Sequence, residues 1–88
     1  MSDNTMRVDL VSAEKAVWSG QAKQVVAKTV EGESGILANH EPLLAILASG
    51  EVRITLPEGE KIIANAEDGF LSVEKNVVRI VARHAQLA

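Results

Sequence analysis

Turn-forming residues recur along this chain at intervals of about ten residues, and no segment between them sustains a helical period. Gly20, Gly32, Gly35, Gly50, Gly59 and Gly69 punctuate it, joined by Pro42, Pro57 and the Lys75-Asn76 pair. Short runs rich in Val, Ile and Leu lie between. Such spacing predicts an all-β sandwich or barrel. With 88 residues the chain can bury roughly 60–65% of its unfolded surface, which allows a single domain with one core.

The clearest strand is Glu51 to Leu56, where Val52, Ile54 and Leu56 share one face and Glu51, Arg53 and Thr55 the other. Pro57 to Glu60 turns the chain, and Lys61 to Ala66 returns as the hairpin partner. Met6 to Ser12 alternates with Met6, Val8 and Leu10 inward. Val77 to His84 puts Val78, Ile80 and Ala82 toward the core, with Arg79 and Arg83 outward. Leu71 and Val73 share a face before the Lys75-Asn76 turn, which closes a second hairpin. Gln21 to Val30 has blurred alternation and reads as bulged or covered on both sides. Leu43 to Ala48 is too short for periodicity to decide between strand and helical turn. Its bracketing by Pro42 and Gly50 favours strand.

Composition excludes several classes. At 47% hydrophobic and 24% charged, the chain is too apolar to stay disordered. A net charge of −3 and only Trp18 and Phe70 as aromatics leave neither a basic surface nor a stacking platform for nucleic acid. The absence of cysteine removes disulfides and thiolate metal sites. The longest apolar run, Leu43 to Ala48, is far short of the ~20 residues of a spanning helix. Residues 1–5 read as a polar tail ahead of a domain over 6–88. They lack the basic start and apolar stretch of a secretory signal, so a cytosolic setting is the default.

Little in the chain suggests catalysis. His40 beside Glu41 is a pair where a metal site needs three or four converging ligands, and His84 reads as solvated. No serine or threonine sits in a nucleophile elbow. Glu31-Gly32-Glu33-Ser34-Gly35 lacks the Gly-Lys-Ser/Thr of a phosphate loop. We therefore expect neither enzymatic activity nor a cofactor. Glu31 to Pro42 reads as a long loop in which Ile36 and Leu37 drop back into the core. Its plain reading is a crossover between sheets; its functional reading is a protein-contact edge.

The ordered set of motifs carries a resemblance. Val8-Asp9-Leu10-Val11-Ser12-Ala13-Glu14, then Trp18-Ser19-Gly20, opens it. Glu31-Gly32-Glu33-Ser34-Gly35-Ile36-Leu37 and His40-Glu41-Pro42-Leu43-Leu44 form its longest block. Gly50 and Gly69-Phe70-Leu71 complete it. Over about Arg7 to Ala82 the chain resembles the epsilon subunits of bacterial F-type ATP synthases. The resemblance implies a flattened β-sandwich of about ten short strands. It also implies a non-catalytic place in the central stalk, bound to the gamma subunit and seated on the c-ring, coupling ion-driven rotation to ATP synthesis. Contact with the membrane would be peripheral, through the complex, on the cytoplasmic face of the bacterial plasma membrane. Residue by residue, Glu31, Gly32, Glu33 and Ser34 match the family's ring-facing turn. Ser12 and His40 match gamma-facing positions, with Leu44 and Ala45 on the same surface.

Two departures stand out. Ala38 occupies a place where many relatives carry proline. The family's C-terminal helical hairpin would begin about where the sequence given ends, at His84 to Ala88, so the regulation and ATP binding seated there are not assigned to this chain. Two rival readings use the same sandwich. A lipoyl or biotinyl carrier domain would place a modifiable Lys75 or Lys61 at a hairpin, but the two-fold repeat of such domains is missing. A peptide-binding module would use an open sheet edge.

Overall fold

The computed structural model describes residues 4–88, so the expected polar tail lies largely outside the described residues. Among the described residues it contains strands and no helix. The strands are β1 (Met6–Ser12), β2 (Ala16–Ala22), β3 (Gln24–Thr29), β4 (Gly32–Leu37), β5 (Leu43–Thr55), β6 (Lys61–Glu74) and β7 (Val77–Leu87). They form one sheet in the order β2-β1-β7-β6-β5-β3-β4. Its neighbours are antiparallel except β1 and β7, which run parallel.

Chain connectivity forces this sheet to double over. In a flat sheet β2 and β3 would stand five strand spacings apart, roughly 24 Å. Lys23 alone links Ala22 to Gln24, a reach of about 7 Å. The ends therefore meet, and the Lys23 N–H donates to the Thr55 carbonyl at 2.8 Å where they do. The fold line is visible in the ladders. Pairing of β5 with β6 lapses between Ile46↔Phe70 and Gly50↔Ala66, and β3 shifts register against β5 between Ala27 and Thr29. Asp68, at φ 67°, lies in the lapse. The result is a β-sandwich whose longest strands, β5 and β6, cross from one layer to the other. Hence seven strands suffice where about ten short ones are expected.

Alternation sets the core. Met6, Val8 and Leu10 of β1 meet Val25 and Ala27 of β3, Ile36 of β4, Val52 and Ile54 of β5, Leu71 and Val73 of β6, and Val78, Ile80 and Ala82 of β7 in one buried cluster. The expected inward faces of β1 and β7 are those observed. In β5, Val52 and Ile54 are buried, while Leu56 lies beyond the strand and is half-buried. Thr55 is buried rather than outward, because the turn of the chain at Lys23 covers it. The Lys75-Asn76 turn has both residues at positive φ, 52° and 63°, as a tight two-residue hairpin requires.

The Glu31–Pro42 segment differs from expectation. Half of it is not loop but strand β4, which pairs with β3 from Gly32↔Thr29 to Leu37↔Gln24. Ile36 is fully buried, but Leu37 is 57% exposed. Successive strand residues point to opposite faces, so only one of the two can enter the core.

Gly69 shows how closely β6 and β7 approach. A Cβ there would lie 1.8 Å from the Val81 carbonyl oxygen, so no side chain fits without parting the strands.

Candidate functional site

The outer face of the layer built from β2, β1, β7, β6 and the first half of β5 carries an uninterrupted apolar row. Ladder register lines up Ala16, Val11, Val81, Phe70 and Ile46 as direct cross-strand neighbours. Val30 joins the end of the row, its N–H donating to the Ile46 carbonyl at 2.9 Å. Ile46 is 61% exposed, Val30 64% and Phe70 41%. Leu44, two residues before Ile46 on the same face, is 74% exposed. From Val11 to Ile46 the row crosses three strand spacings, about 14 Å.

Polar rows bracket it. On one side the register sets Ser19, Asp9, Arg79 and Ser72 in line, ending at Leu44. Here the Ser19 hydroxyl donates to Asp9 Oδ1 at 2.5 Å, and Arg7 Nη2 approaches the same oxygen at 3.2 Å. These contacts hold the Asp9 carboxyl below the ordinary carboxylate range. The Ser19 hydrogen bond is the largest cause, opposed by partial burial and assisted by the Arg7 and Arg79 charges. On the other side Arg83 faces Asp68 at 3.8 Å. An apolar strip inside a charged rim is the surface pattern of a protein-docking face.

The β3–β4 hairpin abuts one end of this row. Its tip is Val30-Glu31, held by Thr29: the Thr29 hydroxyl donates to the Gly32 carbonyl at 2.8 Å and accepts from the Glu31 N–H at 3.2 Å. Gly32, at φ 124°, takes a backbone angle that would strain any other residue. Glu31 projects at the tip and is exposed. Glu33 lies on the edge strand with its carboxylate 3.2 Å from Arg53 Nη2. Ser34 is half-buried in the same strand.

The other expected contact residues fall in different places. His40 sits in the turn between β4 and β5, its Nδ1 donating to the Glu41 carbonyl at 2.7 Å. Leu44 follows on the outer face. Ala45 pairs with buried Leu71 and so points the other way. Ser12 ends β1 beside Ala82, whereas Arg7 at the start of β1 lies beside Val77. Its hydroxyl organises the β1–β2 turn, donating to the Lys15 carbonyl at 3.2 Å and accepting from the Glu14 and Lys15 N–H groups, each at 3.3 Å. The structure therefore brings Leu44 and the hairpin tip to one end of the row, while His40 lies beyond the other end of β4, in the turn that leads into Leu43. Ser12 lies at the far end, beside an open groove that also contains Glu67 and His84. Among the described residues no three His, Asp or Glu side chains are placed to hold a metal, and no helix is long and apolar enough to cross a membrane.

Val11, Ile46, Phe70 and Val81 are absent from the contact residues expected from sequence. One signal pointed to part of the row. Leu43 to Ala48 is apolar at both parities, the mark of a strand covered on both faces. The core covers only the face bearing Leu43, Ala45 and Leu47.

Comparison with known proteins follows the same line. Residues 5–88 match the family model for the β-sandwich domain of the ATP synthase delta/epsilon chain. The ATP synthase epsilon chain of Nocardia farcinica is 48% identical over 88 residues, 99% of this chain and 68% of its own length. That of Corynebacterium diphtheriae is 50% identical over 86 residues, 97% of this chain and 68% of its own. Among solved structures, a chain in the cryo-EM structure of Euglena gracilis mitochondrial ATP synthase (OSCP/F1/c-ring in rotational state 1) superposes with a TM-score of 0.89 at 26% identity. The match covers 94% of this chain and 53% of the Euglena chain.

Proposed function

The chain belongs to the ATP synthase delta/epsilon β-sandwich family, and from that premise we propose that it docks in the central stalk, against the gamma subunit and on the c-ring. The observation that carries this reading is the exposed apolar row from Val11 to Ile46 within its charged rim. A folded partner covering that row would bury the exposed parts of Ile46, Phe70 and Val30, each contributing a fraction of the ~1.5–3 kcal/mol of a wholly buried side chain. Leu44 extends the covered face, and His40 stands in the adjoining turn. Ser12 and Ala45 contribute less directly, one by shaping the β1–β2 turn and the other by seating β5.

The hairpin tip supplies a second, different contact. Glu31, Gly32, Glu33 and Ser34 present carboxylates on a rigid two-strand support, suited to basic groups in the polar loops of a c-ring. Exposed ion pairs contribute only ~0–1 kcal/mol each, so this contact is weak singly and sensitive to salt. The two surfaces share a boundary at Val30 and Ile46, which lets one small rigid body link ring to stalk. Its role is mechanical: it transmits rotation and leaves phosphoryl chemistry to other subunits. In a bacterium it lies at the cytoplasmic face of the plasma membrane, held there by the complex. The family match displaces the carrier-domain and peptide-module readings.

Titration calorimetry of this chain against its cognate gamma subunit, with His40→Ala as control, tests the reading. A one-to-one complex weakened by the substitution supports both the role and the His40 side. A complex indifferent to it moves the interface away from the turn. No complex with a well-folded gamma subunit removes the stalk reading.

A further inference from the structure

Asn39 and Asn76 lie 37 positions apart in sequence, yet each engages the other. The Asn39 N–H donates to Asn76 Oδ1 at 2.6 Å, and Asn76 Nδ2 donates to Asn39 Oδ1 at 3.2 Å. The backbone carbonyl of Asn76 also accepts from the Arg7 N–H at 2.8 Å. Both asparagines hold positive φ, 68° and 63°, a region that asparagine tolerates better than most residues. The β6–β7 hairpin thus clasps the turn that carries His40, and ties it to the start of β1.

We propose that Asn76 is a positioning residue for the docking surface: its side-chain amide fixes the Asn39–Pro42 turn and so presents His40 to the partner. This rests on the stalk reading above. Glu41 and Pro42 are exposed, between Ala38 and Leu43, which pack against the core on either side. The clasp supplies a long-range constraint that this turn's own sequence does not provide. A pre-ordered turn loses less conformational freedom on binding, and that saving appears as affinity.

Asn76→Gly tests the idea cleanly, because glycine keeps the positive φ while deleting the amide. Asn76→Asp isolates the first hydrogen bond, since its carboxylate still accepts from the Asn39 N–H but no longer donates to Asn39 Oδ1. Two readouts are needed. In the isolated chain, Asn76→Gly should speed hydrogen exchange of the Asn39 amide about tenfold, with β7 amides unchanged. It deletes both side-chain hydrogen bonds of the clasp, and against the gamma subunit it should weaken binding about fivefold or more. Asn76→Asp should recover part of both, since it keeps one of the two hydrogen bonds. In a His40→Ala background, Asn76→Gly should produce little further loss, since both act through one turn.

A freed Asn39 amide with unchanged gamma affinity would overturn the proposal and leave Asn76 a purely structural clasp. A full additional loss in the His40→Ala background would overturn it as well. A wild-type chain that does not bind gamma overturns the stalk reading and the inference together, and it does so before any Asn76 variant is compared.

Discussion

Arg53 of β5 reaches across β3 and holds the carboxylate of Glu33 on edge strand β4 at 3.2 Å. The pair is solvent-exposed on both sides, so its own contribution to stability is small. Its consequence is electrostatic: of the two carboxylates near the hairpin tip, Glu33 is already partnered. Arg53→Ala should leave unfolding by urea within about 0.5 kcal/mol of wild type. It should also make the tip more negative and tighten ring seating at low salt. Glu31→Ala with Glu33→Ala should weaken it, and both effects should fade at high salt. Co-sedimentation with purified c-ring reads both. If the double variant loses binding and Arg53→Ala changes nothing, Glu33 does not reach the ring.

Ile54 is fully buried and pairs with Val25 on one side and Ile62 on the other. Truncation leaves a cavity between the layers that a sandwich cannot readily close. Ile54→Ala should cost ~2–5 kcal/mol in urea unfolding. A loss under about 0.5 kcal/mol would mean that Ile54 does not pack in the core.

Much of the fold is legible in these local patterns. Val52 and Ile54 announce their face by alternation, and Lys75-Asn76 announces its hairpin by residue type. The failures have physical causes. Gly50 and Gly69 read as strand breaks, yet β5 and β6 run through both. Near the fold line glycine serves close approach and bending as well as turning. Glu-Ser-Gly in β4 reads as loop because an edge strand needs few buried side chains, and Ile36 supplies the one fully buried contact. The apolar row is harder still. Val11, Val81, Phe70 and Ile46 come from different strands, and only tertiary register aligns them. The Asn39–Asn76 clasp is invisible for the same reason.

Gly69 and Gly35 separate steric need from turn propensity. A Cβ at Gly69 would collide with the Val81 carbonyl at 1.8 Å, whereas one at Gly35 meets nothing within 4 Å. Gly69→Ala should therefore destabilise by about 2 kcal/mol or more, because β6 and β7 must separate locally. Gly35→Ala should stay within about 0.5 kcal/mol of wild type. Thermal or urea melts of the two variants side by side decide it; equal losses would rule out the close approach.

The Asp9 carboxyl is held below its ordinary value near 3.8, chiefly by the Ser19 hydroxyl. A carboxylate with a depressed folded-state pKa adds stability above its unfolded pKa. That stability is lost as pH falls through the folded-state value. Ser19→Ala removes the main cause, so the variant should be less stable than wild type at neutral pH. The gap should narrow below the ordinary aspartate range. Urea unfolding of both proteins at neutral pH and at about pH 2 measures it. A gap that stays constant across that range would assign the loss to packing rather than to the ionised carboxylate.

Phe70 offers the sharpest test of the docking row, since it lies at its centre and is 41% exposed. Its neighbours along the row, Ile46 and Val81, are apolar, so a polar residue there breaks the strip without entering the core. Phe70→Ser should change stability by no more than about 1 kcal/mol, because the side chain lies outside the buried cluster. Affinity for the gamma subunit should fall at least tenfold if the row is the buried centre of that contact, where aromatic side chains carry most of the binding energy. Lys61→Ser, at the exposed start of β6 where it pairs with Thr55 on the far layer, serves as the control and should bind normally. Normal binding by Phe70→Ser, in a chain that melts like wild type, would show that gamma docks elsewhere.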